Sequence, residues 1–483
     1  MIPVEELEKL RPEKYPRNDI GTSNLFSTVY SSALVYVPER KSFFVYDGKV
    51  WKKDIGDLET HEFAKEFVLS IMEYFRQKEE DNEEVLKHYS KYLSRDKRKK
   101  LIDDTKSIKP ISIDQFDKQP YFVNCLNCTV NIATGEYHSH DPADYLTSLS
   151  NVWYDPNAKS EDFENFIDSI MEGNRDLIEY LKRALGYSIS SATFQECFFI
   201  TYGRTTRNGK GTLNSTIMHM LGDYAKTASY EVFESKKYKS NSNASEDIAR
   251  LAGARYVSVS EPEEGMTLNS SLIKTLSGND RITARYLYEN SFEFVASFKL
   301  WINTNHLPAI PDDTVFKSGR VQLIPFNKHF NQSEQDKGLK ARLIKKENIS
   351  GIFNWCMKGF QLMAEEGGLK IPEIIKKEIE KYQENNDRIG EFLQECFTAD
   401  LEGKHREKLS KVYRVYAHWC KENGYKVLNK KNFKNKMCER ISVDSYRGQD
   451  HLVGYYINQE IPGLPGRRGR GRRRQPLCGL RRL

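Results

Sequence analysis

The sequence predicts an α/β protein whose central part is a parallel β-sheet with flanking helices. Between residues 160 and 330, helical patterns alternate with short apolar strands, as in parallel sheets. A glycine-rich segment at 203–211 stands between one of these strands and an amphipathic helix. Aromatic residues make up 12% of the chain, which excludes wholesale disorder despite 29% charged residues.

The region before this sheet, residues 20–155, is predicted to be an α+β domain. Strands are expected over 24–54, where NLFSTVYSSALVYV alternates and FFVYDGKVW places Asp-Gly between apolar runs, a hairpin signal. Residues 59–106 have a charged helical pattern that ends in RDKRKK, either a solvated face or a nucleic-acid contact. Residues 119–150 indicate a second hairpin region.

The central domain is expected over 156–345, and a mostly helical region that ends in a hairpin over 370–460. The predicted strands of the parallel sheet are 196–202, 255–260, 297–303 and 320–326. Residues 461–483 are rich in Gly, Pro and Arg and are expected to be a disordered tail.

Charge and hydropathy exclude several classes of protein. The tail carries eight arginines and no acidic residue. Because their positive charge exceeds the net charge of +6, residues 1–460 are slightly acidic. Composition alone therefore gives no indication of nucleic-acid binding by the folded part. No apolar run approaches the roughly 20 residues of a membrane span, and the start lacks a signal-peptide core. We expect a cytoplasmic protein of a bacterial or host cell, without membrane contact, whose eight cysteines are reduced.

The strongest local signal is ECFFITYG-RTTRNGKGT, a strand followed by a glycine-rich loop and a helix. Such a loop directs backbone N–H groups and the helix dipole at a phosphate, which predicts an ATP site. Lys210 would reach the β/γ-phosphates and Thr212 would help to hold Mg²⁺. The spacing departs from the usual pattern, since five residues separate Gly203 from Gly209 and the hydroxyl comes one position late. The predicted nucleotide-binding residues are Gly203, Arg204, Thr205, Thr206, Arg207, Asn208, Gly209, Lys210, Gly211 and Thr212.

Three later residues complete the predicted site. Glu261 follows the strand in RYVSVSEPEEG and is placed to hold Mg²⁺ through water and to polarise an attacking water. Asn305 is the polar end of FKLWINTNHLP and suits a sensor of the γ-phosphate. Arg320 stands at the start of a further strand.

Five segments, taken in their order along the chain, resemble the superfamily-3 helicases of phage, plasmid and poxvirus primase–helicases. They are NGKGT, SEPEEG, LIKTLSGNDRITARYLYENSFEF, KLWINTNHLP and GRVQLIPF. The resemblance implies a P-loop ATPase domain of the AAA+ type, with Lys210, Glu261, Asn305 and Arg320 as catalytic residues. It also implies an N-terminal accessory domain and, from LSKVYRVYAHWCKENGYKVLNKKNFKNKM, a C-terminal winged helix.

The same resemblance implies an assembly and a DNA path. Arg320 would reach a neighbouring subunit's ATP site in a homo-oligomeric, hexameric ring, with Lys317 in FKSGR as a rival. Segment 274–292 would form a hairpin on single-stranded and forked DNA. The expected DNA-binding cations are Lys274, Arg281, Arg285, Lys431 and Lys434. No metal-binding carboxylate motif of a primase precedes residue 150, so a separate primase and polymerase are expected as partners.

The function expected is therefore an ATP-dependent DNA helicase of phage or plasmid replication. Two other classes stay open: a replication initiator or DNA-binding regulator that is switched by ATP without unwinding, and a nucleotide kinase, since GKGT also occurs in kinases. Cys125 and Cys128, with His138 and His140, either bind zinc or are two buried cysteines in a hairpin.

Overall fold

The computed structural model describes residues 1–78, 83–235, 243–259, 261–262, 265–287, 290–400, 402–425 and 427–458. The chain divides into two compact units, Met1–Lys376 and a second that begins at Lys377. The predicted tail at 461–483 lies outside the described residues, as do Ser260, Glu263 and Glu264. Within the described part, no helix is both long enough and apolar enough to cross a bilayer.

The N-terminal region combines a helical cluster with two small antiparallel sheets, β1-β2-β3 and β4-β5-β6. The cluster buries Phe26, Phe67 and Tyr89 in one core, and Trp51 and Phe116 pack in a second core beside the first sheet. The predicted α+β character is therefore observed. Its elements are α1 Val4–Leu10, α2 Asp19–Val29, β1 Leu34–Val37, β2 Ser42–Tyr46, β3 Trp51–Lys53, α3 Leu58–Gln77, α4 Glu83–Ser90, α5 Arg95–Thr105, β4 Phe122–Asn124, β5 Thr129–Asn131 and β6 Tyr137–His138.

One predicted strand in this region is wrong. Residues 24–29 belong to helix α2, which begins where the Asn18 side chain accepts a hydrogen bond from the Gly21 N–H at 2.8 Å. The helix buries Leu25 and Phe26, so its apolar positions face the core although the same letters alternate as in a strand. The Asp47-Gly48 turn does join β2 to β3, but through four residues in which Asp47 Oδ1 accepts from two N–H groups.

The central region is a five-stranded parallel sheet in the order β13-β7-β12-β9-β8 with helices around it. All four predicted strands are present. The sequence did not predict β8, a short edge strand with two exposed residues. A separate antiparallel hairpin, β10-β11, follows α10. The elements are α6 Glu161–Ile170, α7 Arg175–Ser188, β7 Phe198–Tyr202, α8 Lys210–Leu221, β8 Ala225–Ala228, α9 Asn243–Ala249, β9 Tyr256–Val259, α10 Ser270–Ser277, β10 Arg281–Ala284, β11 Phe292–Val295, β12 Lys299–Thr304, α11 Thr314–Lys317, β13 Val321–Pro325, α12 Leu339–Leu343 and α13 Lys346–Glu365.

The second unit has its own core around Phe392, Tyr416 and Phe433. It contains a three-stranded antiparallel sheet, β15-β17-β16, and a two-stranded pair, β14-β18. The hairpin predicted in ISVDSYRGQDHLVGYYIN is present as β16-β17. The remaining elements are α14 Glu373–Asn385, which spans the division, α15 Arg388–Cys396, β14 Phe397–Ala399, β15 Arg406–Lys408, α16 Leu409–Glu422, α17 Lys430–Cys438, β16 Val443–Tyr446, β17 Gln449–Val453 and β18 Tyr455–Ile457.

Candidate functional site

The glycine-rich loop connects the carboxyl end of β7 to the amino end of α8. Gly209 has φ +88°, and a Cβ there would lie 2.4 Å from Cγ2 of Ile170, so only glycine fits. A Cβ at Gly203 would lie 2.5 Å from the carbonyl oxygen of Phe326. The path of the loop therefore requires these two glycines, which pack against Ile170 at the end of α6 and Phe326 just after β13.

The backbone of this loop is free to bind an anion. From Arg204 to Thr212 no backbone N–H donates a hydrogen bond to any described residue. The first N–H groups of α8 are part of this set and carry the positive end of the helix dipole. Asn208 braces the loop from within, because its side-chain Nδ2 donates to the Thr205 carbonyl at 2.6 Å. Unpaired N–H groups in this arrangement suit a phosphate.

Lys210 is the first residue of α8 and its ammonium lies inside the site. Its Nζ donates to the carbonyl oxygens of Thr304 at 2.9 Å and Gly203 at 3.2 Å, and to Oδ1 of Asn305 at 2.7 Å. Burial lowers the pKa of Lys210 from 10.5 to about 8, against the opposite effect of Glu261. The lysine is thus a poorly hydrated cation whose charged form an entering phosphate would stabilise.

Asn305 connects Lys210 to the predicted acid. Its Nδ2 donates to Oε1 of Glu261 at 2.5 Å, while its Oδ1 accepts from Lys210. Glu261 is exposed and follows β9, and Asn305 follows β12, which lies between β7 and β9. Three of the four predicted catalytic residues therefore meet at the carboxyl edge of the sheet, beside the loop. Thr212 lies in the first turn of α8 and is half-buried.

Arg320 lies at the other edge of the sheet. It precedes β13, whose Val321 pairs with Phe198 at the start of β7, whereas Gly203 follows the end of β7. Five strand residues separate the two levels, or about 16 Å. The guanidinium instead donates to Glu196 and to Oγ of Ser277, the latter at 2.9 Å. The structure does not bring Arg320 to the phosphate loop of its own chain.

The predicted cations of segment 274–292 differ in their surroundings. Arg281 and Arg285 are exposed on and just after β10, and Arg281 makes only a 3.5 Å ion pair with Glu293. Lys274 belongs to α10 and pairs with Asp312 at 2.6 Å. Burial alone would raise the pKa of Asp312, but the hydrogen bonds from Lys274 and Thr314 and the charge of Lys274 together outweigh it and bring that pKa to about 2. Lys274 therefore lies on helix α10 and is paired with Asp312, and its predicted position on the hairpin is wrong.

The two lysines predicted to bind DNA in the second unit lie on α17. Lys431 is exposed, and Lys434 pairs with Asp450 of β17 at 2.6 Å. Beside them, Leu409, Tyr413 and Phe433 form the floor of an open depression. The helix thus presents Lys431 to solvent and ties Lys434 to the neighbouring hairpin.

The two cysteines of the CxxC motif occupy the turn between β4 and β5. Both are buried, and the Cys125 N–H donates to the Cys128 carbonyl at 2.8 Å. Burial raises the pKa of the Cys128 thiol to about 11. His138 Nε2 lies 3.7 Å from Oδ2 of Asp144. The described residues form no group of three or more His, Cys, Asp or Glu side chains placed to hold a metal.

Sequence reasoning missed several residues that shape these sites. The Phe330 N–H donates to the Arg207 carbonyl at 2.9 Å, and His329 Nδ1 lies 2.9 Å from the Thr206 carbonyl. Glu196 and Ser277 hold Arg320 at the opposite edge. No local pattern marks any of them, because each contact joins segments distant in sequence.

Two protein families match this chain. Residues 23–172 match the family described as D5 N terminal like, and residues 384–462 match the family described as Poxvirus D5 protein-like. Together the two segments cover just under half of the chain, and they confirm its resemblance to the superfamily-3 primase–helicases.

Relatives of the chain come from large DNA viruses. "Putative helicase L207/L206" of Acanthamoeba polyphaga mimivirus is 24% identical over 372 residues, covering 73% of this chain and 38% of the relative. "Putative helicase 022R" of Frog virus 3 is 25% identical, and the match covers 46% of this chain and 24% of that relative. "Putative primase C962R" of African swine fever virus is 22% identical, and the match covers 78% of this chain and 43% of that relative. The chain therefore spans less than half the length of each of these relatives.

A solved structure also matches over most of the chain. The A form apo structure of the NrS-1 C terminal region has a TM-score of 0.46 and 10% identity, covering 89% of this chain and 98% of that one.

Proposed function

We propose that this chain is the motor part of an ATP-hydrolysing DNA helicase that acts in viral DNA replication. The observation that carries the proposal is the meeting of the phosphate loop, Lys210, Asn305 and Glu261 at one sheet edge. The organisms of its relatives favour a large DNA virus as the source, where the sequence alone had suggested a phage or plasmid element.

The residues present fit ATP with Mg²⁺. The bound nucleotide would supply the γ-phosphoryl group, and the metal would neutralise part of its charge. Lys210 would exchange its carbonyl partners for phosphate oxygens, and the loop N–H groups would hold the remaining negative charge. Thr212 and Glu261 are the candidates to hold the metal. Glu261, once released by Asn305, would orient the attacking water.

Arg320 supports a ring, in which each site is completed by a neighbour. Because it lies a strand's length from its own phosphate loop, it can act on a nucleotide only across a subunit interface. A hexamer is the assembly proposed. Lys317 remains a rival cation, since it is exposed at the end of α11, three residues before Arg320.

The hairpin β10-β11 and the second unit are the proposed DNA contacts. Arg281 and Arg285 are exposed cations of the kind that bind phosphates without reading sequence. After α15 the second unit contains two strands, two helices and three strands. The helix pair α16-α17 followed by the β16-β17 hairpin supports a winged helix, with α17 as the second helix of the pair. Lys431 on α17 would then approach single-stranded or forked DNA, with a separate primase and polymerase as partners.

The alternative function is an initiator or regulator that binds ATP as an assembly switch and does not unwind DNA. The same loop and the same α17 lysines would serve it. The position of Glu261 beside Asn305 favours hydrolysis over simple binding, because a carboxylate there can orient water.

Replacing Lys210 with alanine tests the proposal. We expect ATP hydrolysis to fall by about 10²–10³-fold or more, because a cation at the developing phosphoryl charge is lost. The measurements are ATP turnover with and without single-stranded DNA, and strand displacement on a forked duplex. Lys226→Ala, an exposed lysine of β8, is the matched control and should keep wild-type rates.

Full turnover in Lys210→Ala would remove the phosphate-loop assignment. DNA-stimulated turnover by the wild-type chain without strand displacement would instead favour the initiator or regulator.

A further inference from the structure

We propose that Glu196 is a positioning residue that holds Arg320 away from the subunit interface and joins it to the base of the β10-β11 hairpin. The inference rests on the proposed ring ATPase, in which Arg320 acts on a neighbouring subunit's nucleotide. Glu196 would restrain Arg320 until that contact forms. The inference is carried by three observations at the amino edge of the parallel sheet.

The first observation is how fully Arg320 is engaged. One of its terminal nitrogens donates to Oε2 of Glu196, and the other donates to Oγ of Ser277 at 2.9 Å and to the Lys274 carbonyl at 3.4 Å. The Arg320 side chain is 15% exposed, whereas that of Glu196 is 49% exposed. Charge-assisted bonds of this kind are about twice as strong as neutral ones. Arg320 must leave them before it can contact a phosphate of another subunit.

The second observation is where the partners of Arg320 lie. Ser277 is the last residue of α10, and Lys274 belongs to its last turn, where carbonyl groups lack helical partners. A guanidinium there is favoured by the negative end of the helix dipole. Three residues separate Ser277 from the start of strand β10 at Arg281. Arg320 therefore fastens the point from which the proposed DNA hairpin starts.

A third contact strengthens the same junction. Thr193 Oγ1 lies 2.6 Å from Oδ1 of Asn279, in the connection between α10 and β10. The segment before β7, which carries both Thr193 and Glu196, is thus tied twice to the region of the hairpin base. When Arg320 exchanges Glu196 for a neighbour's phosphate, one of these two ties is released. A nucleotide arriving at one subunit would in this way alter the support of its neighbour's hairpin.

The test replaces Glu196 with glutamine in the full chain, which keeps the shape and removes the charge. We expect ATP turnover without DNA to rise by about threefold to tenfold, because Arg320 is released more easily. The stimulation by single-stranded DNA should shrink by the same factor, and the Kd for ATP should stay unchanged. Glu179→Gln is the matched control, since Glu179 is 46% exposed and pairs with Arg183 away from this junction. It should leave the rates and the stimulation at wild-type values.

A double variant shows whether the effect passes through Arg320. Glu196→Gln with Arg320→Ala should be as slow as Arg320→Ala alone, a coupling that independent sites do not show. The proposal is overturned if Glu196→Gln, with an unchanged unfolding temperature, keeps the wild-type rate or becomes as slow as Arg320→Ala. Those outcomes leave the ATPase proposal standing, because Lys210→Ala decides that separately. A fully active Lys210→Ala would instead remove both.

Discussion

At the residue scale, Lys210 shows how a buried ammonium surrounded by uncharged acceptors is destabilised. Its ammonium is buried among two carbonyl oxygens and an amide, and Glu261, the carboxylate that acts on its charge, accepts a hydrogen bond from Asn305. Carbonyl groups satisfy the donors of a lysine but do not neutralise it. The lowered pKa is the consequence, and it makes nucleotide binding depend on pH.

We expect the affinity for ATP to fall as the pH rises above about 8, since Lys210 is charged below that pKa and neutral above it. Well above the pKa, the Kd should increase by up to about tenfold per pH unit. ATP titrations between about pH 7.5 and 9.5 measure this. In Lys210→Arg the dependence should vanish, because a guanidinium stays charged throughout.

The lowered pKa of Lys210 has the opposite effect on folding stability without nucleotide, which should rise with pH. Between pH 8 and 10.5 the unfolded chain still holds the proton that folded Lys210 has released, so unfolding becomes less favourable as the proton concentration falls. A Kd for ATP that stays constant in the titrations between about pH 7.5 and 9.5 would contradict the placement of Lys210 at the phosphates.

At the scale of an element, the phosphate loop depends on glycine at one position and tolerates a side chain at another. Gly209 has φ +88° and no room for a Cβ beside Ile170. Gly211 stands in the first turn of α8, and a Cβ there would meet nothing within 4 Å. The two glycines therefore differ in what they contribute, although both lie in the NGKGT motif.

Gly209→Ala should lower the free energy of unfolding by more than about 2 kcal/mol, because backbone strain and a steric clash add together. Gly211→Ala should leave it unchanged or raise it by up to about 1 kcal/mol, as expected for alanine in a helix. Urea unfolding of the two variants makes the comparison. Equal losses at both positions would show that the loop does not have this conformation.

At the scale of the whole molecule, the proposed ring requires Arg320 of each subunit to act at the ATP site of a neighbouring subunit. The sheet separates the two functions, because the phosphate loop and Arg320 lie at opposite ends of β7 and β13. A single chain then contains two half-sites that cannot serve each other.

Mixing two inactive variants tests this arrangement. Arg320→Ala should bind ATP nearly normally and hydrolyse it poorly, since the guanidinium acts on the transition state. Lys210→Ala should be inactive for its own reason. Together they should recover part of the activity, because some interfaces combine an intact loop with an intact arginine.

The same experiment with Lys317→Ala decides between the two cations. If subunits exchange and no activity returns with either variant, neither cation acts in trans and the ring loses its main support. Recovery with Lys317→Ala in place of Arg320→Ala would transfer the role to Lys317.

Some features followed from the sequence because they are written in short segments. A strand, a glycine-rich loop and a helix are contiguous at 198–221, so the site of Lys210 could be predicted without the fold. The other four strands of the parallel sheet were recognisable as apolar runs, whereas β8 was not, because only one of its four residues is buried. Residues 24–29 were misjudged for a related reason, since six residues with mixed apolar positions fit either a strand or a helix until a core selects one.

By itself, the sequence determined the candidates for the chemistry: a lysine in a glycine-rich loop, a glutamate and an asparagine after strands, and an arginine before another strand. Only the tertiary structure decided how they are combined. Parallel pairing of β7, β12 and β9 gathers Lys210, Asn305 and Glu261 at one edge, and the register of β13 leaves Arg320 at the other, against Glu196. Strand order and register are set by packing between segments that lie more than a hundred residues apart, which no local pattern records.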